Sequence, residues 1–231
     1  MNIRKFRTNS ELSDYASDLI VSEIDVKPNL LLCIATGNSP SETYQKLAQK
    51  KDKFSTEELR IIKLDEWGGI SPTNPESCET YIRTYINKPL GITEENYIAF
   101  NSNPAEPLDE AARIQTYLDK NGAIDVCILG LGANGHIAFN EPSAYLQPYC
   151  HKATLTEKSM EHSMAKNMGN EMPTYGLTLG MANILQSKKI IMIIAGKGKE
   201  DIIKRFLSKE INTNLPASFL WLHPNVECLM I

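Results

Sequence analysis

The chain has 231 residues, 42% of them apolar, with 24 basic and 28 acidic side chains and a formal net charge of −4. Such a length buries a sizeable core as one domain spanning 1–231, and the mild acidity, with no basic patch or tail, argues against a nucleic-acid partner or an anionic membrane surface. The start, MNIRKFRTNSEL, lacks the apolar segment of a signal peptide, and the longest apolar runs, 30–35 and 190–195, fall far short of the ~20 residues that span a bilayer.

In chain order, residues 10–24 carry Leu12, Tyr15, Ala16, Leu19 and Ile20 at helical spacing behind a Ser10 cap. Residues 29–35 form an apolar run of strand length. Ser39-Pro40-Ser41-Glu42 combines an N-cap, a proline at the first helical position and a capping-box glutamate, predicting a helix to about Lys51. A second strand is expected over 59–64, then helices over 76–87 and 108–120, the latter stopped by Asn121-Gly122. Beyond a central strand at 124–129, a short helix is expected within 173–185, a strand at 189–195 and a helix at 199–207. A helical turn at 216–221 and a last strand at 226–230 close the chain. Strands alternating with helices predict an α/β fold: a doubly wound, mostly parallel sheet with helices on both faces, in a single domain. Cys33, Cys127 and Cys228 of the five cysteines sit inside the strand-like runs, where a thiol acts as a small hydrophobe. With no Cys-x-x-Cys or His/Cys cluster, a reduced, cytoplasmic protein without a metal site is expected.

In a parallel sheet the strands all end on one edge, and ligands bind there. The first strand runs into Thr36-Gly37-Asn38-Ser39, a glycine loop feeding a helix N-terminus, which is an anion site by its free N–H groups and dipole. Capping alone also explains Ser39, and Glu42 in the first turn works against a phosphate. The second strand ends in Asp65-Glu66-Trp67-Gly68-Gly69, where a carboxylate on the ligand edge is a candidate general base. Gly196-Lys197-Gly198-Lys199 puts lysine at a helix start, a cost that a bound anion reverses.

The stretch IDVCILGLGANGHIAFNE, residues 124–141, ties these loops together. A buried strand stops at Gly130, Gly132 and Gly135, and His136 and Glu141 follow, a histidine and a carboxylate placed for proton transfer. Gly130-x-Gly132-x-x-Gly135 matches the dinucleotide fingerprint, but that motif needs a helix at the third glycine, and Pro142 and Pro148 follow instead. His136 taken alone reads as a packed side chain. In company with the other loops, it outlines a site for a small, phosphorylated substrate that exchanges protons.

ATGNSP, LDEWGG, GLGANGHIAFNEP and LWLHPNV resemble the glucosamine-6-phosphate deaminases and their galactosamine-6-phosphate relatives over nearly the whole chain. The resemblance implies an aldose–ketose isomerisation of a 2-amino-2-deoxyhexose 6-phosphate with release of ammonia and no cofactor. It implies Asp65 as the base at C2 and C1, His136 as the ring-opening residue, and Glu141 as the carboxylate orienting it. Asn134 stands where some members have Asp. Thr36, Gly37, Asn38 and Ser39 match the phosphate loop and Lys199 the phosphate lysine. The partner implied is a small-molecule sugar phosphate, and a homo-oligomer is compatible with this reading.

The chain departs from the glucosamine pattern in KSMEHSMAKNMGN, residues 158–170, where many members carry a phosphate-binding arginine on a lid; Lys166 and His162 are the candidates to replace it. His151 and Ala153 fall where some members carry basic effector-binding residues, which speaks against amino-sugar allostery. Trp67, the Met-rich segment and TYGLTLGM lean toward the galactosamine branch. Two rivals share the fold: a 6-phosphogluconolactonase-like hydrolase, whose pattern has Arg at the position of Trp67, and a sugar-phosphate-sensing effector domain. Asp65, His136 and Glu141 favour catalysis over sensing.

Overall fold

Runs that are apolar at every position become the middle of a sheet, because both faces need cover. The computed structural model describes residues 1–196 and 198–231. Its main sheet has seven strands: β1 (Asn2–Lys5), β2 (Leu31–Ile34), β3 (Arg60–Lys63), β5 (Tyr97–Ile98), β6 (Val126–Gly130), β9 (Lys189–Ile194) and β10 (Val226–Met230). All neighbouring pairs are parallel, in the order β1-β10-β9-β6-β2-β3-β5. In β2, Leu31 and Cys33 face one core and Leu32 and Ile34 the other. The first core is covered by α5 (Pro107–Asn121) and α9 (Glu200–Leu207), through Ile114, Leu118, Ile202 and Phe206. The second is covered by α1 (Asn9–Val26) and α2 (Asn38–Gln49), through Leu12, Ile20, Tyr44 and Leu47. This is the doubly wound fold expected from the alternation. Thr8, rather than Ser10, caps α1, its side chain accepting from Glu11 N at 3.2 Å.

From β2 the chain winds outward to β3 and β5, then returns to place β6 on the other side of β2 and continues to β9 and β10. The loops leaving β2 and β6 therefore diverge, and a crevice opens between them at the strands' carboxyl ends.

A second, three-stranded antiparallel sheet lies beyond that edge: β4 (Asp65–Gly68), β8 (Tyr175–Thr178) and β7 (His151–Ala153), with Asp65 opposite Thr178 and Trp67 opposite Gly176. The Asp-Glu-Trp-Gly segment is thus a strand, not the loop its charges and glycines suggest. Leu64 ends the first sheet, with its N–H on Ile34 O. β4 then turns to a new partner in which Gly176 leaves room for Phe139 beneath Trp67, and an added Cβ there would meet the Phe139 ring at 2.6 Å. Two short helices, α6 (Glu157–Met160) and α7 (Ser163–Asn167), cross above the crevice and bury Met164, Ala165 and Met168 against Trp67, Ile70 and Phe139. The expected helix at 76–87 runs as α3 (Cys78–Ile82), a π-helical stretch Arg83–Asn87 and α4 (Lys88–Leu90), stopped by Gly91 at φ 72°. Among the described residues no helix is long and apolar enough to cross a membrane.

Candidate active site

The crevice is a cavity of about 520 Å³ between the β2 and β6 loops, walled by β4 and roofed by the two short helices. Thr36, Gly37, Asn38, Ser39, Asp65, His136 and Lys199 all line it.

At one end, Gly37 precedes α2 with φ 107°, a left-handed conformation that favours glycine. No side chain caps this helix. Ser39 lies inside its first turn with its hydroxyl 3.3 Å from Ala195 O, so the capping role expected for Ser39 is not what the backbone adopts. The first N–H groups of a twelve-residue helix are left facing the cavity, the arrangement that receives an anion. Glu42 is not in the way: its carboxylate takes the Asn9 amide and sits 4.0 Å from Lys46. The Gly37 carbonyl is tied back by Ser41 Oγ and Tyr81 Oη at 2.8 and 2.9 Å. Lys199 enters from the start of α9 with Nζ 2.6 Å from Leu131 O, and burial lowers its pKa. Lys197 of the same loop lies outside the described residues.

Asp65 stands in the wall, 9% exposed. Burial first, and the neighbouring Glu66 charge second, push its carboxyl up to about 7, against a smaller opposing pull from Lys63. Its neighbour Glu66 is fully buried and fully engaged. One oxygen accepts from Trp67 N and Cys78 N at 2.8 and 3.0 Å, the other from Glu79 N at 2.9 Å and Lys63 Nζ at 2.7 Å. Lys63, also fully buried, bridges Glu66 to Glu79, 2.8 Å away. Of the two adjacent carboxylates, one is a structural tie and the other faces the cavity.

Across the cavity, the Gly132–Gly135 turn brings His136 back over Gly132, where an added Cβ would lie 2.1 Å from the imidazole. Gly135, at φ 90°, seats on Leu215 and Ile202. No helix follows, as Pro142 foretells, and the dinucleotide reading fails for want of one. His136 Nδ1 lies 3.2 Å from Glu141 Oε2. Asn134 joins the two: its Nδ2 donates to the same carboxylate oxygen at 2.7 Å, and its Oδ1 accepts from His136 N at 3.1 Å. Burial disfavours ionisation of Glu141, but hydrogen bonds from His136, Ser159 and Asn134 outweigh it and hold the carboxyl below its usual range. A charged carboxylate on Nδ1 fixes the tautomer and leaves Nε2 as the ring nitrogen not held by Glu141.

Two hydroxyls absent from the sequence-based set complete this cluster. Thr156 caps α6, with its Oγ1 accepting from Ser159 N and lying 3.3 Å from Glu141. Ser159 donates to Glu141 Oε1 and lies 3.2 Å from His136 Nδ1. The only sequence signal for them was the capping pattern Thr-x-x-Ser, which occurs at many helix starts. Both candidates on the roof are exposed, but Lys166 is outside the cavity lining, whereas His162 lines it. Among the described residues no group of three His, Cys, Asp or Glu side chains is arranged to hold a metal ion.

The open parallel sheet with a crevice at its switch point places the chain in the doubly wound α/β class. Residues 7–230 match the profile described as "Glucosamine-6-phosphate isomerases/6-phosphogluconolactonase", and the chain belongs to that family. It is 38% identical over 99% of its length to the Escherichia coli (strain K12) protein named "Putative deaminase AgaI", covering 91% of that protein. It is 34% identical to a glucosamine-6-phosphate deaminase of Clostridium novyi (strain NT), over 100% of this chain and 97% of that one. Among solved structures, a monomeric glucosamine-6-phosphate deaminase matches at TM-score 0.94 and 31% identity, over 100% of this chain and 97% of that one. The 6-phosphogluconolactonase of Trypanosoma brucei matches at TM-score 0.75 and 20% identity over 99% of this chain and 95% of that one, a likeness of fold alone.

Proposed function

We propose that this protein is an isomerising deaminase of a 2-amino-2-deoxyhexose 6-phosphate, giving a ketohexose 6-phosphate and ammonia. The observation that carries the reading is one cavity holding an anion-binding helix start at one end and, facing each other, a carboxyl poised near 7 and a His–Glu pair. The phosphate occupies the Thr36–Ser39 turn beside Lys199. His136 passes a proton to the ring oxygen as the C1–O5 bond breaks, and the C1 hydroxyl loses its own to become the aldehyde. Asp65, as carboxylate, removes the C2 proton; the electron pair forms the C1–C2 double bond and the carbonyl oxygen is protonated. Return of the proton to C1 leaves an iminium at C2, where water adds and ammonia departs. A base that titrates near the working pH is matched to a weakly acidic C–H bond. Glu141 and Asn134 hold the imidazole in place.

The galacto epimer is placed first because Trp67, the Met-rich roof and the TYGLTLGM run, residues 174–181, resemble that branch. The test is a parallel assay of galactosamine 6-phosphate and glucosamine 6-phosphate in deuterated water. Ammonia and ketose 6-phosphate should appear in equal amounts, with deuterium at C1 of the ketose and at C2 of the recovered amino sugar, and the galacto compound turned over faster. Hydrolysis of a 6-phosphogluconolactone without ammonia from either amino sugar would overturn the reading.

A further inference from the structure

The anion end of the cavity is short of positive charge. A phosphate dianion there meets one half-buried lysine, Lys199, whose Nζ is already held by Leu131 O, and the start of α2, worth about half a charge. The roof carries the remaining candidates. Lys158 borders the cavity but is paired to Glu161 at 2.6 Å, and Lys166 is not among the residues that line it. His162 differs from both. A Cβ built on Gly37 would lie 3.6 Å from its Nε2, so that nitrogen hangs directly over the anion turn. Its Nδ1 accepts from Met164 N at 3.3 Å, so in the neutral ring the proton resides on Nε2, the atom facing the turn. Its ring lies 6.5 Å from Trp67, centroid to centroid, and Ser163 beside it lies 3.5 Å from Asn38 Nδ2. Thr156 and Ser159, on the preceding turn, pin the segment to Glu141.

We infer that His162 is a phosphate-binding residue, donating its Nε2–H to the substrate's phosphate from the roof opposite Gly37. The inference rests on the proposed phosphorylated substrate and adds a ligand to its anion end. Partial desolvation of the ring, with His136 from the β6 loop and Lys199 from α9, disfavours a charge on His162. An arriving dianion reverses that balance and strengthens the bond.

The test uses His162→Gln, whose amide nitrogen reaches the position of Nε2, and His162→Phe, which keeps a ring and loses the donor. Affinity for inorganic phosphate is measured by calorimetry, and KM and kcat by ammonia release. His162→Phe should weaken phosphate binding and raise KM by about 10- to 100-fold, the range for a hydrogen bond to a charged group, with a smaller change in kcat. His162→Gln should stay within about threefold of wild type, which a loss of folding would not allow. Phosphate affinity and KM unchanged in His162→Phe would overturn the inference while leaving the proposed reaction standing. Weakened phosphate binding in an enzyme that releases no ammonia would leave the inference standing and remove the reaction.

Discussion

At the scale of single residues, the cavity is built on a carboxyl held against its preference. Asp65 ionises near 7 in the folded chain and at its ordinary 3.8 when unfolded. Between those values the unfolded chain has lost a proton that the folded one keeps, so stability falls as pH rises from about 4 to about 7. Below that window both forms are protonated and the penalty is absent; above it the penalty is full, on the order of 4 kcal/mol. Asp65→Asn removes it. The variant should melt higher than wild type at pH 8, converge with it at pH 4, and lose C2 proton exchange altogether. Identical melting profiles across that range would mean that Asp65 titrates normally and is not poised as a base. The same amide change keeps the hydrogen-bonding shape, so the stability gain and the activity loss separate two properties of one group.

At the scale of elements, β4 owes its position to buried charges as well as to the apolar packing of Trp67. Lys63, at the end of β3, reaches Glu66 of β4 and Glu79 of α3, while Glu66 also receives the first N–H groups of α3. Burial lowers the lysine's pKa, but the two carboxylates outweigh it and keep it charged. Removing one partner of a fully buried pair leaves the other uncompensated, a cost of about 3–5 kcal/mol. Lys63→Met should lower the urea midpoint accordingly, and a loss below about 1 kcal/mol would show that the backbone donors alone satisfy Glu66. This dependence also explains what could be read in advance. β2, β6 and β9 are almost continuous apolar runs because both of their faces are covered, and β3 and β10 keep apolar centres despite Arg60, Lys63 and Glu227. β4 and β8 are interleaved with Asp, Glu, Gly and Thr whose partners come from distant segments, so no local period marks them. β1 is exposed along its whole length and β5 is two residues long. The residues of the glycine turns were legible because conformation and chemistry coincide there. Thr156 and Ser159 were not, because a hydroxyl that caps a helix and one that holds a catalytic carboxylate look alike in a sequence.

At the scale of the whole molecule, the cavity draws on segments from Ala35 to Lys199 and on both sides of the switch point. It therefore needs the ends of β2, β3, β6 and β9 together, and neither half of the chain contains both the Thr36–Ser39 turn and the His–Glu pair.

The two tryptophans of the sequence divide between the two ends of this architecture. Trp67 packs on Phe139, ring centroids 4.6 Å apart, with His162 beside it, whereas Trp221 lies on Phe206 and donates Nε1–H to its carbonyl at 2.8 Å. The chain thus carries one fluorophore at the cavity roof and another on the far packing surface. In Trp221→Phe, the remaining emission should shift or quench as inorganic phosphate is titrated, because a histidine gaining charge next to an indole withdraws its excited-state electrons. In Trp67→Phe the same titration should leave the spectrum flat while denaturant still unfolds it. Equal responses from the two variants would mean that ligand binding reorganises the whole molecule instead of its roof.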